Sequence, residues 1–178
     1  MTDRTTSDRG ADGYRRTPGA GPVVRTDIIE VYLFQGAPGS GLAVLQLRRA
    51  TAPMVGDWHP VMGHIEPGEA AVECARRELG EEVGLGAGDP AWVGFWQLEQ
   101  VHPYYLAAVE AVVLSPRFAV EVRPGWEPTL NHEHDGSRWI SEESVEVEFV
   151  WPGQRAALRE IIAEMAQRTT TAERLRLD

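Results

Sequence analysis

GHIEPGEAAVECARRELGEEVGL, residues Gly63–Leu85, is the stretch that decides the fold. Pro67-Gly68 is a turn signal, so the stretch opens as a tight loop. From Glu69 to Val83 the pattern is helical, and Gly84 followed by apolar Leu85 is a left-handed helix stop. At about 100° per residue, Val72, Ala75, Leu79 and Val83 fall on one apolar stripe that faces a core. Glu78, Glu81 and Glu82 stand at i, i+3 and i+4 and share another face.

That acidic face is poorly built for stability. Glu78 and Glu82 repel, by about 0.2–0.5 kcal/mol on an exposed helix. Glu81 and Glu82 fall in the last turn, where the helix dipole favours cations. Gly80 inside the helix costs a further ~1 kcal/mol relative to Ala. Several broken local rules in one patch point to a site. Three carboxylates together are the oxygen-donor set that a hard divalent cation takes. The plain alternative is a solvated acidic face balanced by Arg76 and Arg77.

The spacing Gly63, Glu69, Arg77-Glu78-Leu79, Glu81-Glu82, Gly84-Leu85 resembles the Nudix box, with no departure at a defining position. The resemblance implies an α/β fold, a Nudix-type α/β/α sandwich with a mixed β-sheet between the box helix and a C-terminal helix. It implies Mg2+ as cofactor, with Mn2+ a possible substitute, and hydrolysis of a phosphoanhydride bond. It makes Glu78, Glu81 and Glu82 metal-site carboxylates, with the Gly63 carbonyl a possible further ligand. Arg77 pairing with Glu69 would be structural, holding the loop on the helix.

With 178 residues the expectation is one domain. We expect a disordered tail over 1–22, the Nudix domain over 23–167 and a fraying end over 168–178. The net charge is −10, from 17 basic and 27 acidic residues, which argues against a nucleic-acid backbone or an anionic membrane as partner. An acidic chain that binds a polyphosphate needs cations or local arginines to offset the repulsion. The one cysteine, Cys74, excludes an intramolecular disulfide and a cysteine-based zinc cluster. It falls beside the carboxylate face and reads as a semi-buried filler rather than a nucleophile. No long apolar run reads as a membrane span and no hydrophobic leader opens the chain, so the expected location is cytoplasmic. The oligomeric state has no sequence signal.

Along the chain, Val23–Phe34 reads as a strand buried on both faces. A turn over Gly36–Gly41 makes a hairpin with the returning strand Leu42–Leu47. Arg48 and Arg49 close that strand and, being adjacent, point to opposite faces. One is expected to reach a phosphate while the other is solvated or paired. Trp58 is either core or a stacking surface for a flat base. After the box, Trp92–Val101 and Leu106–Leu114 read as strands, the second apolar enough to be central. Pro116, Pro124 and Pro128 punctuate a stretch expected to be an irregular, variable substrate loop that includes Trp126. Ser141–Glu148 mixes helix-cap and strand signals. Pro152–Gln167 is helical, with Pro152 in the first turn.

Asn131-His132-Glu133-His134-Asp135 carries a further set of donors. A His/Glu transition-metal site is one reading, although a carboxylate-rich centre favours Mg2+ or Mn2+. The spacing Glu133-His134, then Trp139, is similar to that of bacterial dATP and dihydroneopterin triphosphate pyrophosphohydrolases within the Nudix family. Trp58–Gly63 and Gln46-Leu47-Arg48-Arg49 are similar too. By that resemblance Glu133 is a fourth metal-site carboxylate. Glu78, Glu82 and Glu133 are then the candidates for the catalytic base, and Arg48, Arg49, Trp58 and His134 for substrate contacts. The expected substrate is a nucleoside or pterin triphosphate cleaved to monophosphate and pyrophosphate. Oxidised nucleotides or nucleoside-diphosphate sugars are alternatives. A non-catalytic nucleotide sensor and a prenyl diphosphate isomerase are readings of other classes.

Overall fold

The structure, a computed structural model, describes residues 21–36, 41–52 and 54–178. The expected tail up to residue 20 and the middle of the Gly36–Gly41 turn lie outside them. The described strands are β1 (Val23–Arg25), β2 (Ile28–Gln35), β3 (Ala43–Arg49), β4 (Trp58–His59), β5 (Val61–His64), β6 (Trp92–Gln97), β7 (Tyr104–Leu106), β8 (Ala111–Val113), β9 (Arg117–Val122) and β10 (His134–Ser141). The helices are α1 (Ala71–Val83), α2 (Val145–Glu148), α3 (Pro152–Glu160) and α4 (Thr170–Leu175). Among the described residues no helix is long and apolar enough to cross a membrane.

The main sheet runs β10-β3-β2-β9-β6, with β4 added on β3 and β5 on β2. Only β2 and β9 pair in parallel, so the sheet is mixed. Each face carries a core. One packs Val31, Leu33, Leu45, Leu47 and Val120 against Ala75, Leu79 and Val83 of α1. The other packs Tyr32, Phe34, Val44 and Ile140 against Ala157, Leu158, Ile161 and Met165 of the C-terminal helices. Alternate residues of the same strands feed the two cores, as a strand covered on both faces requires. The result is the expected α/β/α sandwich.

Several expectations change. The predicted first strand is two strands in different sheets. Arg25 pairs with Asp27 across the break, and the Asp27 carbonyl accepts the Ile65 N–H. The apolar run Leu106–Leu114 is not central. It folds into the β7–β8 hairpin of a small peripheral sheet, and Leu106 and Val109 are exposed. The middle strand is β2, and beside it the interior strand β9 lies inside the stretch expected to be an irregular loop. Arg117 and Glu121 masked it. Both are buried and paired, Arg117 with Glu30 and Glu121 with Arg168. Pro116 and Pro124 flank this strand and do not interrupt it. The expected strand Trp92–Val101 stops at Gln97. Ser141–Glu148 resolves into a 3₁₀ turn, Glu142–Ser144, followed by α2. The end expected to fray forms α4 instead. The Thr169 side chain caps it, and Asp178 then accepts from the Trp92 indole and the Phe95 N–H.

Candidate active site

The loop and helix of Gly63–Leu85 form as their sequence dictates. Gly68 takes a left-handed φ of 87° in the turn, and Gly84 takes 72° at the helix end. The Leu85 N–H reaches back to the Leu79 carbonyl at 2.9 Å, closing the C-terminus. Glu73 accepts the Ala70 N–H at 2.9 Å and covers one of the orphan donors of the first turn.

Arg77 ties the loop to the helix. Its guanidinium meets both oxygens of Glu69, at 2.9 and 3.0 Å, and also donates to the His64 carbonyl, Glu78 and Glu81. The Arg77 partner holds the Glu69 carboxyl at about 2. Cys74 lies beside the carboxylates as expected, its Sγ 3.4 Å from Arg77 Nη2, but it is fully rather than half-buried. Burial pushes its thiol up to about 12, so it is no nucleophile.

The three box glutamates have different environments. Glu81 is exposed and lies along Arg77. Glu78 lies against Gly63: a Cβ on that glycine would stand 2.2 Å from the Glu78 side chain, so any larger residue there would displace the carboxylate. Glu82 is 2% exposed, and its Oε2 is buried without a hydrogen-bond partner. Burial, then the nearby charges of Glu78 and Glu133, push its carboxyl up to about 9. Burial raises Glu78 as well.

Glu133 reaches this centre through the chain that follows β9. Thr129 and Asn131 donate their N–H groups to the carbonyls of Val83 and Glu82 at the end of α1, at 2.9 and 3.4 Å. The Glu133 carbonyl then accepts the Ala50 N–H at the end of β3, at 2.7 Å. Its carboxylate meets Arg49 at 2.7 Å. Among the described residues no three acidic, histidine or cysteine side chains are arranged to hold one ion. Arg77 engages Glu78 and Glu81, and Arg49 engages Glu133, so of these four carboxylates Glu82 is the one without an arginine, and its buried Oε2 has no partner.

His134, expected at the substrate, is turned inward with its side chain fully buried. Its Nε2 is 3.9 Å from Glu82 Oε2, its Nδ1 meets Asn131 Oδ1 at 3.2 Å, and its ring is 5.2 Å from that of His59. It backs the carboxylate and does not open to a ligand. His132 is exposed in the turn before β10, so the two histidines do not share a strand face.

Arg48 and Arg49 part as strand geometry demands. Arg49 turns to the carboxylates, while Arg48 turns to the opposite face, meeting Asp135 at 2.6 Å and lying 5.9 Å from the centre of the Trp58 ring. Trp58 lines a cleft of about 500 Å3 on that face, with Asp57, Arg138, Glu148, Val150 and Trp151. Of the cleft residues beyond Trp58 and Asp57, none stood out in the sequence. Arg138 could have been found by strand parity, since it is adjacent to Trp139 and therefore faces away from it.

The chain is thus an α/β/α sandwich with a patch of carboxylates at the C-terminal end of a loop–helix unit. The NUDIX domain model matches residues 22–165, and the chain belongs to that family. It is 35% identical over 92 residues to the pig (Sus scrofa) bis(5'-nucleosyl)-tetraphosphatase [asymmetrical], covering 47% of this chain. It spans 54% of that enzyme's length. A binary complex of the C. elegans Ap4A hydrolase matches with a TM-score of 0.62 at 20% identity, over 80% of this chain and 98% of that one. The E. coli dihydroneopterin triphosphate pyrophosphohydrolase matches with a TM-score of 0.63 at 19% identity, over 80% and 99%. At those identities the two structures speak for the fold.

Proposed function

We propose that this chain is a Nudix pyrophosphohydrolase that cleaves a phosphoanhydride bond in a nucleoside or pterin triphosphate, releasing monophosphate and pyrophosphate. The observation that carries this reading is Glu82, buried with an unpartnered Oε2 and close enough to Glu78 and Glu133 to feel their charge. Glu78 and Glu82 come from one helix and Glu133 from a turn later in the chain, and a cation would draw Glu78 and Glu133 away from Arg77 and Arg49. Burying three carboxylates together is costly without a cation. The unpartnered Glu82 oxygen and the glycine cradle around Glu78 fit a hard divalent ion, Mg2+ or in its place Mn2+. Glu78, Glu82 and Glu133 would hold it, with Glu81 at the solvent edge and the Gly63 carbonyl as a possible further donor. Such an ion, when bound, lowers the pKa of water and offsets phosphoryl charge.

The residues of the chain supply the rest. Water attacks one phosphorus, its oxygen forms the new P–O bond, and the bridging P–O bond breaks toward the pyrophosphate leaving group. The proton passes to one of Glu78, Glu82 or Glu133. Arg49, freed from Glu133, is placed to meet phosphate oxygens. The cleft beside Trp58 takes the flat ring. The ligand is then a small polyphosphate, not a nucleic acid or a membrane, in keeping with the net charge of −10. The cytoplasm is the proposed compartment.

The 35% identity to the pig enzyme favours a second substrate class, the dinucleoside tetraphosphates. Oxidised nucleotides and nucleoside-diphosphate sugars complete the panel. The test is turnover of that panel with Mg2+, with pyrophosphate and orthophosphate release measured separately. Turnover of no nucleotide or pterin polyphosphate rejects the hydrolase reading and leaves a nucleotide-binding regulator.

A further inference from the structure

Gln46 is fully buried in the middle of β3, where alternate neighbours Val44 and Arg48 share its face. A buried amide in a central strand is costly unless it is satisfied. Here it is spent on one partner. Its Oε1 accepts from Arg138 Nε at 3.0 Å and from Arg138 Nη2 at 2.8 Å, while its Nε2 donates to the Glu148 carbonyl at 3.1 Å. The Glu148 carboxylate takes Arg138 Nη2 at 2.8 Å. These bonds fix the guanidinium plane. They fix it over Trp58, with the Arg138 Cζ 4.2 Å from the indole centre. Arg138 and Trp58 both line the cleft, across from Val150 and Trp151.

A surface arginine over a tryptophan needs no buried amide to hold it. The pinning makes sense if the plane itself is used. A guanidinium pinned 4.2 Å above an indole centre offers a π-stacking plane with N–H donors at its rim. Aromatic bases stack on such planes. From this we propose that Arg138, held by Gln46 and Glu148, is a ring-recognition residue. It stacks on the heterocycle of the substrate and does not contact its phosphates. The carboxylates that engage phosphate chemistry lie on the other face of the sheet. The proposal rests on reading this cleft as the ring site.

The test is calorimetric titration of the Mg2+-loaded protein with two probes, a nonhydrolysable purine nucleoside triphosphate and inorganic tripolyphosphate, which has no ring. Arg138→Ala is expected to weaken the nucleotide by roughly tenfold or more, the range of a lost base-stacking contact, and to leave tripolyphosphate unchanged. Arg138→Lys keeps the charge and loses the plane, so it is expected to resemble Arg138→Ala. Trp58→Ala serves as the control for the cleft itself. Equal weakening of both probes by Arg138→Ala makes Arg138 a phosphate contact and overturns the proposal. Restoration by Arg138→Lys also overturns it, in favour of charge alone. If Trp58→Ala weakens the nucleotide while Arg138→Ala does not, the cleft reading stands and the role of Arg138 falls. If neither variant changes nucleotide binding, the cleft reading falls and the proposal with it.

Discussion

Arg48 and Arg49 are neighbours in sequence and belong to two different sites. Arg49 crosses to the α1 face and meets Glu133, whereas Arg48 stays on the α3 face beside Trp58. The two faces of one sheet thus divide the work. On the α1 face the chemistry is concentrated. Glu69, Arg77, Glu78, Glu81 and Glu82 lie within a single loop and helix, and Arg49, Glu133 and His134 arrive from elsewhere. On the α3 face nothing is contiguous: Gln46, Trp58, Arg138, Glu148 and Trp151 come from five separate elements or their flanks. The residues proposed for bond-making are encoded locally, and those proposed for ring recognition are brought together by the packing of distant segments.

The largest expected effect lies on the α1 face. Glu82→Gln keeps volume and removes charge. It is expected to lower kcat by more than about a hundredfold, beyond the 10–100-fold range of groups that only orient metal ligands. Circular dichroism and the unfolding midpoint are expected to hold, because Gln suits a buried site better than an unpaired carboxylate. Retained turnover would remove Glu82 from the centre. Glu133→Gln is expected to follow the same pattern, measured in the same assay. A chelator is expected to abolish turnover and leave the fold intact, since the two apolar cores flanking the sheet contain no ligand. Loss of structure on chelation would mean that the two faces are not energetically separate.

This division also explains what the sequence disclosed. The box helix was legible because helical periodicity, a glycine stop and a misplaced acidic face coincide within 23 residues. The partition of Arg48 and Arg49 followed from strand alternation. The interior strand β9 was missed because Arg117 and Glu121 break its apolar pattern. Their partners, Glu30 and Arg168, lie 87 and 47 residues away, beyond any local window. The run Leu106–Leu114 misled for the opposite reason. Its residues are apolar except Glu110, yet tertiary contacts leave Leu106 and Val109 at the surface. His134 was placed at the substrate by spacing alone, while its burial behind Glu82 depends on a turn that spacing does not describe. The cleft had no contiguous signal at all.

A smaller effect is expected on the α3 face. Trp58→Ala removes the ring surface and leaves the carboxylates in place. It is expected to raise KM for nucleotide or pterin substrates by roughly tenfold, in the range of one lost base–aromatic stack, with kcat nearly unchanged. A fall in kcat without a change in KM would place Trp58 with the chemistry of the other face and break the division.

The smallest effect is expected from the clamp that holds the α1 loop. Arg77 keeps the Glu69 carboxyl at about 2, against an ordinary value of 4.5. A carboxyl lowered in the folded state contributes stability above its unfolded value and loses it as pH falls through the folded one. The Glu69–Arg77 contribution is therefore complete above about pH 4.5 and fades toward pH 2. Glu69→Gln is expected to be modestly less stable than the parent at pH 7 in urea titrations. The gap should narrow as the pH is lowered through that window. The pair partly faces solvent, which keeps the effect small. Since Glu69 touches neither the carboxylate centre nor the cleft, KM is expected to stay put. A rise in KM to match that of Trp58→Ala would show that the loop on one face sets the ring site on the other. The two faces would then work as one site.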